Sequence, residues 1–345
     1  MKVSVCIPQY NRIYYLLRSL EIIEKQTYPD IEIVISDDCS TDDTVSEIKK
    51  LIPIYKYPII FDRNSRNMGY DRNYRKCIEM SNGEYALVIG NDDSLCGNTA
   101  IQFLADFLKE NGYPDIGYCN MIEESSGGGL IKRAWGNKIM GTGPDVALGN
   151  YSSFSFVGGL IYKREVFLKY NTAQYDGSIY AQMYLGVYMI CKGAVLFCIE
   201  EPLVIKDLLL DGKLGNSYRD RIARKWSDYR IVDGGLPSVM NVLIGALRDA
   251  GELSQKKIYY IFKRIYSVTF PHWILDYKEN GAFPEAWGLM RGMHPRRNKN
   301  CALLNKWNRF KIYFLYLSSG ISALIFPVFF FKLVKQRLYS YLKRS

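Results

Sequence analysis

Four short apolar runs constrain this chain more than anything else: VSVCI at 3–7, IEIVI at 31–35, II followed by FD at 59–62, and YALVI at 85–89. Each is too short for a helix and most are apolar on both faces, the pattern of strands covered from both sides. Between them lie segments with helical periodicity. Leu16, Leu17, Leu20 and Ile23 mark a helix over 13–26; further helices are predicted over 41–51, 70–80 and 99–109. Strands alternating with helices predict an α/β unit, a mostly parallel sheet flanked by helices. In such sheets ligands bind outside the carboxyl ends of the strands.

The residues directly after each strand are therefore the ones to inspect. They are PQYNR at 8–12, SDDCSTDDT at 36–44, RNSRNMGYDRN at 63–73 and GNDDS at 90–94. Together they bring carboxylates, arginines and a tyrosine to one sheet edge. That mixture suits a nucleoside diphosphate. Arginine forks pair with phosphate oxygens, aspartates accept from a base or ribose, and an aspartate doublet takes a hard divalent cation. Helix capping by Ser40 or Thr41 accounts for part of the second cluster, but not for Asp37 and Asp38 ahead of it.

The motifs VSVCIPQYN, VISDDCSTDDT, NMGYDRNY and NGEYALVIGNDDSL, in this order over about residues 1–110, resemble the family 2 glycosyltransferases of the GT-A fold. RNSRNMGYDRN and the later GGLIYKREVF resemble O-antigen sugar transferases of the abequosyltransferase kind. The resemblance implies transfer of a sugar from a nucleotide-sugar donor to a glycan acceptor. It implies that Pro8 and Tyr10 line the donor's base pocket, that Asn11 belongs to the donor site, that Asp38 bonds the base and that Arg72 lies near the donor. Asp93 is implied as the ligand of Mn²⁺ or Mg²⁺, and Asp92 as facing the ribose or sugar. The usual acidic triplet is broken here by Asn91 at its head. The family's catalytic base falls near Ile179, Tyr180 and Ala181, where this chain has no acid. Asp176 is the nearest candidate, with Glu200 and Glu201 as alternatives that read as a turn before Pro202.

The rest of the chain is expected to be a helical extension over 206–290 after a transferase unit over 1–205. The glycine-rich 123–143 stretch reads as a loop or hairpin serving as a linker or mobile flap, without phosphate-loop spacing. Eight cysteines without a C-x-x-C pair read as reduced thiols, and the N-terminus lacks the apolar core of a signal peptide.

Charge singles out the last segment. The chain carries a formal +10, yet residues 286–345 hold twelve Lys and Arg and no acid, so the preceding part is close to neutral. Within this tail Ile312 to Phe331 is a run of twenty uncharged residues, broken by Ser318, Ser319, Gly320 and Pro327. Basic flanks on both sides disfavour a single span for a unit that uses cytosolic donors. The expectation for 291–345 is a peripheral or re-entrant tail on the anionic, cytoplasmic face of a bacterial inner membrane. A polyprenyl-diphosphate-linked acceptor fits that location. No stacking or zinc module points to nucleic acid. A nucleotidyltransferase would place glycine in the first loop, and PQYNR has none. A non-catalytic sugar-nucleotide-binding or scaffold protein on a degenerate transferase fold is the alternative, supported by the missing acids near Tyr180.

Overall fold

The computed structural model describes residues 1–214 and 235–343. Strands β1 (Val3–Gln9), β2 (Ile31–Asp37), β3 (Ile59–Arg63) and β4 (Tyr85–Val88) alternate with helices α1 (Ile13–Ile23), α2 (Thr44–Leu51) and α3 (Tyr70–Glu79). These bounds follow the apolar periodicity within a few residues. Helix α2 is the exception. It starts at Thr44 rather than Thr41, because the Asp42 carboxylate accepts from the Thr44 N–H at 3.1 Å. Ser40, the expected cap, instead donates its hydroxyl to Asp37. Asp42 also takes the N–H of Ile13 at 2.9 Å, so one carboxylate fixes the starts of two helices.

The main sheet runs β3-β2-β1-β4-β9-β6-β10-β5, with β5 at Ser94–Leu95, β6 at Ile116–Glu123, β9 at Leu160–Lys163 and β10 at Leu196–Lys206. Strands β1 to β4 are mutually parallel where they pair, in registers such as Val3↔Ile31 and Val3↔Tyr85. Strand β9 enters antiparallel between β4 and β6, and β5 pairs antiparallel with β10. The chain leaves β1 toward β2 and β3 and returns on its other side as β4. This makes the crevice between the ends of β1 and β4 a topological switch point.

The glycine-rich 123–143 stretch opens as the expected hairpin, β6 turning back into the next strand, and is paired to the sheet rather than being a linker or free flap. Its ends form β7 (Gly129–Ile131) on β6 and β8 (Lys138–Gly141) on β10. Between them Arg133 is 2% exposed, and its guanidinium donates to the carbonyls of Cys119, Ser153 and Gly158. Glu200 and Glu201, expected in a turn, lie inside β10 at a register irregularity. Helix α7 (Ala181–Cys191) follows α4 (Ala100–Glu110), α5 (Pro144–Asn150) and α6 (Arg164–Tyr170).

Two apolar cores sandwich the sheet. One, under α1 and α4, holds Val5, Ile33, Leu87 and Phe197; the other runs from Cys6 and Val88 through α7 into the C-terminal helices. Those are α8 (Leu236–Asp249), α9 (Gln255–Arg264), α10 (Phe270–Glu279), α11 (Phe283–Gly292), α12 (Lys306–Ile325) and α13 (Val328–Lys343). The expected helical extension is thus seen from residue 236 on; residues 215–234 lie outside the described ones. All eight cysteines are free thiols. Among the described residues no single helix is long and apolar enough to cross a membrane. The pair α12 and the start of α13 passes that test only together, across a bend of 102°.

Candidate active site

The β1 loop is held in an unusual shape. Asn11 and Arg12 both take left-handed backbone conformations, φ 53° and 62°, at successive non-glycine positions. Such conformations persist only where the surroundings enforce them. Here Asn11 donates its N–H to Ser40 Oγ (2.7 Å), and its side-chain oxygen accepts from Thr41 N (2.9 Å). The loop after β1 is thereby tied to the loop after β2.

The same loop is also tied to the end of β4, through the residue that departs from the acidic pattern. The Asn91 amide donates to Gln9 Oε1 at 2.8 Å and lies 3.4 Å from the carbonyls of Tyr10 and Asn11. Three acceptors surround it, so a donor is needed. An aspartate in its place would set a carboxylate against those oxygens. Arg12, brought inward by its left-handed backbone, donates to Asp92 Oδ2 at 2.8 Å. Neither contact was legible in the sequence, because the partners stand 79 to 82 residues apart.

Asp93 is the deepest member of the cluster, 6% exposed. It sits on two glycines: a Cβ at Gly158 would lie 2.7 Å from Asp93 Oδ2, and one at Gly90 would lie 2.9 Å from it. Its carboxylate accepts N–H bonds from Gly90 (3.0 Å) and Asp207 (3.1 Å). Burial first, then the charge of Asp92, pushes its carboxyl up to about 7. Burial likewise raises Asp92, opposed by Arg12. A pair of adjacent like charges with one member buried is relieved by a cation. Asp207 and Lys206, which no motif marks in the sequence, close the far wall; Lys206 pairs with Asp207 and, at 3.5 Å, with Glu123.

The other expected residues are spread along the same edge. Tyr10 is 39% exposed at the mouth and Pro8 is half-buried at the end of β1. Asp38 is buried and engaged: it accepts from Asn64 Nδ2 (2.8 Å), Met68 N (2.7 Å) and Gly69 N (2.9 Å). It thus shapes the loop entering α3. Arg72 is exposed on α3.

Asp176 lies beyond α3, gripped on both oxygens by Arg75, at 2.9 Å from Nε and 2.6 Å from Nη2. One turn before Arg75, Asp71 is 2% exposed and accepts the N–H groups of Ile179 (2.8 Å) and Ala181 (3.1 Å). Asp71 therefore supplies, from α3, the carboxylate that caps α7. The two residues, four apart on one helix face, fasten the 176–181 segment to the donor half. Glu200 points to Lys132 at 2.8 Å, an exposed pair on the β10 irregularity.

Whether these residues suit a divalent ion can be judged from the donor set. Among the described residues no group of three or more His, Cys, Asp or Glu could hold an ion alone. The chain offers the hard oxygens of Asp93 and the negative charge of the doublet. These fit an ion whose remaining ligands come from a bound diphosphate.

Comparison with known proteins agrees with the fold and the motifs. Residues 4–170 match the sequence profile described as Glycosyl transferase family 2. Abequosyltransferase RfbV of Salmonella typhimurium is 32% identical over 232 residues, covering 59% of this chain and 66% of that protein. The GalNAc(5)-diNAcBac-PP-undecaprenol beta-1,3-glucosyltransferase of Campylobacter jejuni is 31% identical over 138 residues, covering 38% of this chain and 44% of that protein. The match thus spans just under two thirds of the first relative and under half of the second. The crystal structure of S. aureus TarS 1-349 in complex with UDP-GlcNAc superposes with a TM-score of 0.62 at 17% identity, over 93% of this chain and 91% of that one.

Proposed function

The chain belongs to glycosyl transferase family 2 through residues 4–170, and from that premise we propose that it moves a sugar from a nucleotide-sugar donor to a glycan acceptor in bacterial surface polysaccharide synthesis. The observation that carries this reading is the doublet of half-buried Asp92 and buried Asp93 at the switch point between β1 and β4, with Arg12 beside it. The names of the relatives support sugar transfer and, through the PP-undecaprenol of one of them, a polyprenyl-diphosphate-linked acceptor; an O-antigen-like product rests on the resemblance of the motifs.

In this reading the donor's base sits over Pro8 and Tyr10, against the loop that Asn11 and Asp38 hold in shape. Asp92 faces the ribose or sugar, and its pairing with Arg12 places a guanidinium where phosphate oxygens arrive. Arg72 approaches the donor from the exposed face of α3. Asp93 holds Mn²⁺ or Mg²⁺ when the donor is bound; the ion supplies charge neutralisation for the departing diphosphate. Asn91 keeps the β1 loop and the doublet in one geometry.

Asp176 is the proposed general base toward the acceptor hydroxyl. Its two bonds to Arg75 must loosen, or be shared, for it to take a proton. That same clamp favours the second reading, a sugar-nucleotide-binding protein without transfer, in which Asp176 only anchors the loop. We assign the transferase unit to the sheet-bearing part of the chain, which runs past the expected limit of residue 205 because Lys206 ends β10 and Asp207 donates to Asp93, and the helical extension to the part that follows, up to residue 290. Residues 291–345 form the tail that lies on the cytoplasmic face of the inner membrane. A thermal-shift screen of nucleotide sugars tests the donor site, since a ligand that binds only the folded state stabilises it by mass action. The expected result is a shift with one nucleotide sugar that grows with Mn²⁺ and disappears in Asp93→Asn. No shift with any nucleotide sugar would remove this reading.

A further inference from the structure

Helix α12 meets the body with one face only. Ile312, Tyr316, Gly320 and Ala323 are buried, and a Cβ on Gly320 would lie 2.3 Å from Met290 Sδ. The opposite face is also apolar. Trp307, Phe310, Phe314, Leu317, Ile321 and Ile325 succeed one another at intervals of three and four, each between 48% and 75% exposed. A helix that faces water carries polar residues there. At about 1.5 Å per residue this stripe is ~27 Å long, and Phe329, Phe330 and Leu333 extend the exposed apolar surface past the bend.

At the start of the stripe Arg296, Lys306, Arg309, Phe310 and Tyr313 line a pocket of about 410 Å³. None of its three cations has an ion-pair partner among the described residues, and no Asp or Glu occurs after Glu285. Phe310 belongs both to the pocket and to the stripe. An anionic group seated among the cations would therefore be continuous with an apolar body lying along α12.

We propose that this pocket binds the phosphate of an acidic glycerophospholipid while the stripe rests on the acyl chains. This rests on the membrane reading above and deepens it: attachment has a headgroup site, rather than arising from diffuse positive charge. An exposed aromatic stripe needs a cover that free phosphate cannot give, and twenty uncharged residues beside the pocket suit no nucleic acid.

The test is co-sedimentation of the full chain with vesicles of phosphatidylcholine alone, phosphatidylcholine with phosphatidylglycerol, or phosphatidylcholine with undecaprenyl diphosphate. The wild type is expected to prefer phosphatidylglycerol. Arg296→Ala, Lys306→Ala and Arg309→Ala combined should lower that partition on the order of a hundredfold. The charge-matched control Arg291→Ala, Lys299→Ala and Lys332→Ala should lower it far less. Equal loss in both triples overturns the proposal in favour of diffuse attraction. Preference for undecaprenyl diphosphate overturns it in favour of an acceptor site, and full displacement by millimolar inorganic phosphate overturns it in favour of a free-anion site. If the wild type stays in solution with every vesicle, the membrane reading itself falls with it, which the control triple cannot mimic.

Discussion

Around the cleft, large cations are matched by acids of the chain itself: Arg12 with Asp92, Arg18 with Glu124, Arg75 with Asp176 and Lys206 with Asp207. In the tail, Arg296, Lys306 and Arg309 face no acid among the described residues, and aromatic side chains stand in solvent beside them. The same residue types thus play two parts. In the first region they are fixed by internal partners, which pre-organises loops brought together across 80 or more residues. In the second they are left for something outside the chain. Two residues of the cleft differ: Arg72 is exposed with no acid beside it among the described residues, and Asp93 is a deeply buried carboxylate whose surroundings raise rather than lower its proton affinity. Asp93 resembles the tail in awaiting an external partner, of opposite charge.

The largest effects should come from changing Asp93. Asp93→Asn is expected to lower transfer about a thousandfold or more, measured as acceptor-dependent nucleoside diphosphate release. The same variant turns one acceptor toward the N–H groups of Gly90 and Asp207 into a donor, so only the pH dependence of its melting temperature relative to the wild type, with metal and donor absent, reports the Asp93 charge. The sign follows from the folded proton affinity of Asp93, raised from 3.8 to about 7. The folded state then binds more protons than the unfolded one between those values, so wild-type stability falls as pH rises through that window. The difference between variant and wild type should move in favour of the variant as pH rises from about 4 to about 7 and stay constant outside that window. A pH-independent difference would show that Asp93 is already paired.

Asp176→Asn should abolish transfer while leaving the donor-induced thermal shift intact. Near-normal turnover would instead make Asp176 a clamp for Arg75 alone. Arg75→Ala removes the partner of that carboxylate and the anchor of the 176–181 segment. A loss of about 3 kcal/mol in urea unfolding is expected. Asn91→Asp replaces a donor among three acceptors and should cost roughly 1–3 kcal/mol. An unchanged midpoint would mean that the β1 loop does not depend on Asn91. The smallest effect should be that of salt on the cleft. Raising ionic strength shortens the screening length from about 10 Å toward 3 Å. It should weaken vesicle binding by the tail while barely moving the melting temperature.

The order of elements was legible because strands buried on both faces and amphipathic helices leave different periods in the chain. The strand-end clusters were legible for the same reason, since parallel topology dictates which ends converge. The partners were not. Asn91 read as a departure from a pattern, whereas it is a donor required by three oxygens; the requirement exists only once Gln9 and the β1 loop are folded against it. Arg133 sat in a segment rich in glycine and read as mobile, yet it is among the most enclosed charges of the described residues. Asp71 carries no distinguishing mark in the sequence, because an acid in the first turn of a helix looks like an ordinary dipole partner. It caps a different helix 110 residues away. The antiparallel placement of β9 left no mark in its composition.

That the doublet at the switch point serves sugar transfer from a nucleotide can be put to a direct assay. The full chain is incubated, in phosphatidylglycerol vesicles carrying an undecaprenyl-diphosphate oligosaccharide, with each nucleotide sugar in turn and Mn²⁺. Nucleoside diphosphate and glycosylated lipid are both measured. One donor should yield the two products in equal amounts, with both lost in Asp93→Asn. Equal product formation by wild type and Asp93→Asn, or donor binding without any transfer, would contradict it.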